Sequence, residues 1–302
     1  MNEALINNSA GILFILAGNA AFWFFLEKKT QWKLFSYIPP LLFIYILPAV
    51  FSNAGLIPGK HGTYDWMGEN LLPIFLTLLL LDVDVRATIR VMGRGVFVML
   101  IGTLGVVIGA PIGYFAVKGW LSPDAWKGFG TLAGSWIGGT GNMAAVAEGL
   151  GTGGTNFGLA VIADNAVYLI WLPIMLQSKN LAKWFHKFTG VSQSHLDKMK
   201  SAADTLAVKK EDIMMRHILY LLALGLGVAW FASGIASSIP ELPPVFTSGT
   251  YKILLVTTMG LILSFSPARK IPGSHELAMA LVYLFVARMG AKAVVEGLAG
   301  QA

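Results

Sequence analysis

The sequence predicts an all-α polytopic membrane protein with inverted five-helix repeats and a broken or re-entrant glycine-rich helix, the second repeat being incomplete. Three observations predict this class. Of the 302 residues, 55% are hydrophobic and only 13% are charged, whereas about 25% of the residues in an ordinary soluble domain are charged. Long apolar runs recur along the chain, and a cluster of glycines interrupts one of them. Together these features predict a bundle of membrane-spanning helices.

The composition excludes several other classes of protein. The net charge of +6 comes from 22 basic and 16 acidic residues gathered between apolar runs, so we expect no nucleic-acid partner. The chain has no cysteine, which excludes disulfides and thiolate metal sites. No Walker or GxSxG motif is present, and the glycine-rich stretch lacks the lysine of a phosphate loop. We therefore expect no enzyme and no cofactor, apart from Na⁺ or H⁺ as a coupling ion.

Eight runs are apolar enough to cross a hydrocarbon core of about 30 Å as helices. The N-terminal MNEAL lacks the basic residues of a signal peptide, so the first run is expected to be a retained helix. The predicted units are a first transmembrane repeat over 1–177, a basic linker over 178–216 and an incomplete second repeat over 217–302. The runs are Ala10–Leu26, Leu34–Phe51, Trp66–Leu81, Gly95–Val117, Asn156–Leu176, His217–Ser238, Tyr251–Ser266 and Glu276–Val294.

The distribution of Lys and Arg predicts the orientation, because cytoplasmic loops are enriched in both residues. We place the N-terminus outside. The linker 178–216, with its eight basic residues, is then cytoplasmic only if the run Ala125–Leu150 turns back within the membrane instead of crossing it. Sixteen basic residues then lie inside and four outside. We therefore predict a re-entrant or broken helix over 125–150, in a protein of the plasma membrane.

Five crossings in the first half require an inverted second copy. Two alignments of the halves compete. Ile57-Pro58 matches Ile239-Pro240 at an offset of 182 residues, but this places both copies in the same orientation. Leu78–Arg86 matches Leu284–Lys292 at an offset of 206 residues and gives antiparallel copies, which the topology favours. In this alignment the second copy stops after three helices, so the chain is expected to be the first three quarters of a longer protein.

The most informative stretch is GSWIGGTGNMAAVAEG over Gly134–Gly149. Its first eight residues include four glycines, each of which costs a helix about 1 kcal/mol relative to alanine. Thr140 and Asn142 are good N-cap residues for a half-helix over Met143–Leu150, whose free N–H groups favour an anion. Tight packing of small residues spaced four apart is the structural alternative. The substrate and ion site predicted here comprises Ser135, Gly138, Gly139, Thr140, Gly141 and Asn142.

Asp164 lies in the middle of the fifth span and is followed by Asn165. A carboxylate near the bilayer centre costs roughly 2.5 kcal/mol or more, and such residues usually face the bundle interior and bind a proton or a cation. We predict both residues as part of the ion site, with Na⁺ as the metal ion that Asp164 would hold. An interhelical hydrogen bond is the structural alternative. At helical spacing one stripe of the span contains Asn156, Ala160, Asp164 and Tyr168.

Four further polar residues lie within or beside the spans. Glu148 follows the glycine cluster, either as a second ion ligand or as a residue of the outer surface. Arg288 and Lys292 lie in the last span. Their candidate partners are an anionic substrate, the carboxylates already named, or residues of the segment expected to be missing from the second repeat. Asn19, in the first span, is expected to hydrogen bond between helices.

Several stretches resemble the integral membrane proteins grouped as domain-of-unknown-function family 819 (YjcL-like). They are SWIGGTGNMAAVAEGL, LLLLDVDVR, Asp164 before YLIW, and ARMGAKA. That family is similar, more distantly, to sodium–glutamate symporters, bile-acid symporters and cation–proton antiporters. The likeness implies inverted five-helix repeats with broken helices at a central site, to which Gly138–Asn142 and Asp164 would belong. Family members continue into a second glycine-rich broken segment that this sequence does not show.

These features predict a secondary active transporter that moves a small organic anion, coupled to Na⁺ or H⁺, by alternating access. One alternative is a cation–proton antiporter without an organic substrate, in which Asp164 and Glu148 exchange ions. A second alternative is a membrane scaffold whose basic segment 178–216 binds a partner or anionic lipid. The expected partners are the lipid bilayer, a small organic anion or cation, and a second copy of the chain in a homodimer.

Overall fold

The computed structural model describes residues 4–37, 39–93, 95–176, 212–242 and 246–293, so most of the predicted linker 178–216 lies outside it. Apart from an isolated bridge between Leu242 and Phe246, the described ranges contain no strand pairing, which confirms the all-α class. The helices are α1 (Ser9–Thr30), α2 (Leu34–Tyr37), α3 (Pro40–Asn53), α4 (Gly62–Leu81), α5 (Val85–Met92), α6 (Gly95–Val117), α7 (Ala125–Gly138), α8 (Thr140–Gly149), α9 (Gly154–Leu176), α10 (Met215–Ala236), α11 (Ser248–Ser264) and α12 (Ser274–Ala291).

The exposed apolar surface of helix α6 is the clearest sign that the protein lies in a bilayer. None of its residues is buried, and Phe97, Ile101 and Ile108 are all more than half exposed. Soluble proteins rarely expose a continuous apolar surface of this kind. Within the described ranges, three segments are long and apolar enough to cross a membrane by length and composition alone, namely Ser9–Thr30, Gly95–Trp120 and Met215–Ala236. The chain is therefore a multi-pass membrane protein.

The predicted span over Leu34–Phe51 was wrong in one respect, because the structure divides it into α2 and α3. Pro39 precedes the second helix with extended backbone, and Pro40 occupies its first turn. Proline lacks an N–H and disfavours helical backbone in the preceding residue, so a helix does not continue through this pair. The 14 residues of α3 rise about 21 Å, and the helix packs against α1 and α12.

The antiparallel pair α4 and α12 forms the centre of the bundle. Phe75 and Phe285 meet edge to face with their ring centres 5.7 Å apart, and both side chains are fully buried. Ser274 at the start of α12 contacts Asp82 at the end of α4. At the other end of the pair, Arg288 contacts the Tyr64 carbonyl. The two helices therefore run in opposite directions along their whole length.

The bundle has two distinct ends. At one of them, called the base end below, Asn53 donates a hydrogen bond to the Ala293 carbonyl and Thr250 donates one to the Gly149 carbonyl. At the other, called the far end, Asp84 pairs with Arg269. The helix directions agree with the alternating crossings predicted from the sequence, while the side of the membrane that each end faces stays a prediction.

The packing of the two halves is consistent with the 206-residue offset. That offset places the bounds of α1 on those of α10, and it places α3 and α4 close to α11 and α12. The contacts correspond as well, since α1 packs on α3 and α12 while α10 packs on α11 and α4. In an inverted repeat with this offset, α4 maps onto α12 and α12 maps back onto α4. Helices that exchange in this way lie beside the two-fold axis.

Asn19 has the role that the sequence predicts. Its side-chain amide donates a hydrogen bond to the Ile44 carbonyl of α3, 2.9 Å away, and its oxygen accepts one from the Trp23 indole. Asn19 is buried, so these bonds satisfy a polar group inside the bundle and fix α1 against α3.

Candidate functional site

The glycine-rich run folds as a helical hairpin. Helix α7 ends at Gly138, Gly139 adopts φ +81° and ψ −169°, and α8 begins at Thr140. This backbone region is accessible essentially to glycine alone. The hydroxyls of Thr131 and Thr152, on opposite sides of the turn, are 2.9 Å apart. The predicted break is therefore confirmed, and the chain reverses at Gly139.

Close packing between the two arms depends on small residues. A Cβ atom built on Gly134 would lie 2.9 Å from Val146 Cγ2, and one built on Gly130 would lie 2.7 Å from Leu150 Cδ1. The sequence offered two explanations for the glycines, close helix packing and a break in the helix. Both are correct, at different positions. Glycines of α7 bring the arms together, and Gly139 makes the turn.

The hairpin begins and ends at the base end of the bundle. Asn156, just after the hairpin, donates a hydrogen bond to the Asp124 carbonyl just before it, at 3.4 Å. The Gly149 carbonyl accepts a hydrogen bond from Thr250 at the start of α11. An uninterrupted crossing would place the two ends of 125–150 on opposite sides. This is the geometry that a re-entrant element requires.

Two residues near the turn have roles other than the predicted ones. Thr140 and Asn142 were expected to cap a half-helix starting at Met143, but α8 starts at Thr140 and its N-cap residue is Gly139. The Asn142 amide instead donates a hydrogen bond to the Gly134 carbonyl at 2.9 Å and fixes the two arms to each other. Because Gly139 reverses the chain within a single residue, helical structure resumes earlier than N-cap preferences suggest.

The turn reaches across the bundle. Gly141 is buried, and a Cβ atom on it would clash with Leu79 of α4 and lie 3.9 Å from Val282 of α12. Leu79 lies near the end of α4 that is remote from the base end. The α8 N-terminus is therefore packed against α4 and α12, whereas Gly138 and Gly139 at the end of α7 are exposed. The two helix ends adjoin at the turn, so the carbonyls at the end of α7 and the N–H groups at the start of α8 lie close together.

Asp164 is the carboxylate that the hairpin contacts. Ser135, in the last turn of α7, donates a hydrogen bond to Asp164 Oδ2 at 3.1 Å, and the Trp136 side chain is a second hydrogen-bonding neighbour. Asp164 forms no ion pair with a basic residue in the described ranges. The negative end of the α7 dipole and this carboxylate together favour a cation. Asp164 and the Ser135 hydroxyl thus bring two side-chain oxygens together near the end of α7, and oxygen ligands of this kind suit a cation such as Na⁺.

The other residues of the predicted Asp164 site do not converge on it. The Asn165 amide donates to the Val161 carbonyl of its own helix, 2.7 Å away. Along the predicted stripe, Ala160 is buried against neighbouring helices, but Tyr168 is exposed. Asn165 thus stabilises α9 locally, and only the first part of the stripe is packed.

Glu148 lies in a separate environment near the base of the hairpin. Its carboxylate accepts hydrogen bonds from Arg288 Nη1 at 2.9 Å and Nη2 at 3.4 Å. The Arg288 side chain is 1% exposed and that of Glu148 is 32% exposed. The guanidinium also donates from Nε to the Tyr64 carbonyl and lies 4.8 Å from the Phe285 ring centre. Glu148 is therefore a partly exposed residue whose ion pair holds α8 to α12, and its role as an ion ligand stays a prediction.

Gly68 of α4 makes room for this ion pair. A Cβ atom built on it would lie 2.6 Å from Glu148 Oε1 and clash with the guanidinium of Arg288. Gly68 was not among the residues predicted from the sequence. The sequence did contain a signal: a glycine inside a predicted span, in a protein with two intramembrane charges that had no assigned partner. A glycine in such a setting indicates a close approach between helices.

Further charges surround the ion pair at the base end. Lys292 Nζ lies 3.8 Å from Asp65 Oδ1, and Lys252 Nζ donates to the Glu69 carbonyl at 2.7 Å. Lys292 therefore meets a carboxylate of α4 that was not among the partners predicted from the sequence. In the part of the chain that the structure describes, no group of three His, Asp or Glu side chains converges as a metal site.

Comparisons with known proteins identify the family. The model of the family described as "Protein of unknown function (DUF819)" matches residues 14–300. The chain belongs to this family. A relative in Bacillus subtilis (strain 168), named "Uncharacterized membrane protein YjcL", is 27% identical over 300 residues, covering 93% of this chain and 74% of the relative. No solved structure matches the chain.

For this DUF819 protein, the structure divides the predicted site in two. Ser135 and Asp164 meet at the hairpin, and the turn over Gly138–Asn142 lies in the same part of the bundle. Glu148 instead pairs with Arg288, about 12 Å along α8 from its first residue. A candidate ion site and a structural ion pair therefore replace the single cluster that the sequence suggests.

Proposed function

We propose that the protein is a secondary active transporter that moves a small organic anion, coupled to Na⁺ or H⁺, by alternating access. The observation that supports this most is the hydrogen bond between Ser135 and Asp164. It joins the carboxylate in the middle of α9 to the last turn of α7, next to the Gly139 break. Broken helices at the centre of a transporter present half-helix ends to ions and substrates.

In this proposal the two half-helix ends have different ligands. The C-terminus of α7, Ser135 and Asp164 hold the coupling cation. The N–H groups at the start of α8 favour the anionic group of the substrate. The bound cation offsets the negative charge of Asp164 nearby, so each ligand favours binding of the other.

Cation-dependent stability of the purified protein tests the ion site. A cation bound to the folded protein at 100 times its Kd adds about 2.7 kcal/mol of stability. We expect NaCl to raise the unfolding temperature of the wild type relative to choline chloride at equal ionic strength, and Asp164→Asn to abolish that rise. Asp124→Asn is the matched control, because Asp124 is 68% exposed outside the hairpin. Equal sodium shifts in wild type and Asp164→Asn would exclude Asp164 from a sodium site.

A screen of small carboxylates then separates symport from antiport. Stabilisation by a carboxylate only when Na⁺ is present supports a sodium symporter. Stabilisation by a carboxylate that varies with pH, and loses this dependence in Asp164→Asn, supports proton coupling. A cation effect that depends on Asp164, with no carboxylate effect at any pH, favours the cation–proton antiporter instead.

A further inference from the structure

At the far end of the bundle, opposite the base of the hairpin, lies a polar cavity of about 340 Å³. It lies between the start of α5 and the segment after α11, where residues Pro267–Lys270 form a short 3₁₀ turn. Neither the hairpin nor Asp164 contributes to its lining. The cavity is therefore separate from the proposed transport site.

The lining of this cavity carries excess positive charge. It includes Arg90, Arg269 and Lys270, together with a single acid, Asp84. Asp84 pairs with Arg269, which leaves the charges of Arg90 and Lys270 in excess. Both of these side chains are exposed. The cavity is thus suited to an anionic group that enters from the surface.

Helix α5 places an apolar surface beside these charges. Val85, Ile89 and Met92 follow one another at helical spacing, and Ile89 is 56% exposed. Because α5 joins the ends of α4 and α6, we expect it to lie where the hydrocarbon region of a bilayer meets the headgroups. A short helix with an apolar and a basic face lies in this interface.

We propose that the cavity binds the phosphate group of an anionic phospholipid. Arg90 and Lys270 contact the phosphate, and the apolar face of α5 rests on the acyl chains. A freely soluble anion would use the same charges but would gain nothing from the exposed apolar surface. The basic residues of this end are also those that the charge distribution places on the cytoplasmic side, where anionic lipids attract Lys and Arg.

The test measures thermal stabilisation of the full chain in detergent by added phosphatidylglycerol or phosphatidylcholine. We expect the wild type to prefer phosphatidylglycerol. Arg90→Gln/Lys270→Gln should raise the lipid concentration for half-maximal stabilisation about 25-fold, roughly fivefold for each cation removed. Lys28→Gln/Lys29→Gln is the matched control, because these exposed lysines at the far end of α1 lie outside the cavity.

Three outcomes overturn the proposal. One is a wild type that does not distinguish the two lipids. Another is a control variant that loses as much preference as Arg90→Gln/Lys270→Gln. The third is a result with inorganic phosphate: it stabilises the wild type but not the cavity variant, and phosphatidylglycerol then has no further effect. In that case the ligand would be a soluble anion.

Discussion

Replacing Glu148 by glutamine tests how the hairpin is attached to the rest of the bundle. Glu148→Gln keeps the shape of the side chain but removes the charge that faces Arg288, whose side chain is 1% exposed. Removing one partner of a buried ion pair costs about 3–5 kcal/mol, because the remaining charge stays buried without compensation. Glu148 is 32% exposed, so solvent screens part of the attraction between the two charges, and we expect a loss of about 2–3 kcal/mol.

The assay is thermal unfolding in detergent at a fixed scan rate. A loss of this size lowers the unfolding temperature by roughly 3–5 °C in a protein of this length. Asp124→Asn is the control. The Asp124 side chain, which pairs with Lys127, is 68% exposed, and an exposed ion pair contributes about 0–1 kcal/mol. Glu148→Gln/Arg288→Met removes both charges and should recover part of the loss. A Glu148→Gln shift no larger than that of Asp124→Asn would refute this account of the pair.

Two glycine substitutions probe the same region by unfolding temperature. Gly68→Ala places a methyl group against the Arg288–Glu148 pair and should cost about 1–3 kcal/mol. Gly62→Ala is the control, because its methyl group meets open space at the start of the same helix. Equal stabilities of the two variants would contradict the close approach at Gly68. Gly139→Ala, at φ +81°, should cost about 1–3 kcal/mol. Gly153→Ala, which also meets open space but has no positive φ, should change little, and a tolerated alanine at 139 would argue against the turn.

The sequence predicted the features that depend on local signals. The bounds of α6 agree with the predicted run Gly95–Val117, because a long uninterrupted apolar stretch has few alternative structures in a membrane. The break at Gly139 was found because a cluster of glycines is visible in the sequence. The one-residue reversal was missed, since it depends on the backbone angles of a single residue.

Contacts between distant parts of the chain were beyond the reach of the sequence. Glu148 and Arg288 are 140 residues apart, and the sequence offered Glu148 only as one of several candidate partners of Arg288. The Glu148 side chain was therefore grouped with Asp164, its neighbour along the chain. Packing of α8 between α4 and α12 separates the two carboxylates and gives them different surroundings.

The reversal of the chain at Gly139 is the claim on which the proposed site depends, and one engineered disulfide tests it directly. The hydroxyls of Thr131 and Thr152 are 2.9 Å apart, whereas a continuous helix over the 21 intervening steps would separate these positions by about 31 Å. The protein has no native cysteine, so Thr131→Cys/Thr152→Cys can be oxidised in membranes without competing pairs. Rapid and nearly complete disulfide formation within single chains is the expected result. Two free thiols that stay reactive after oxidation would contradict the hairpin.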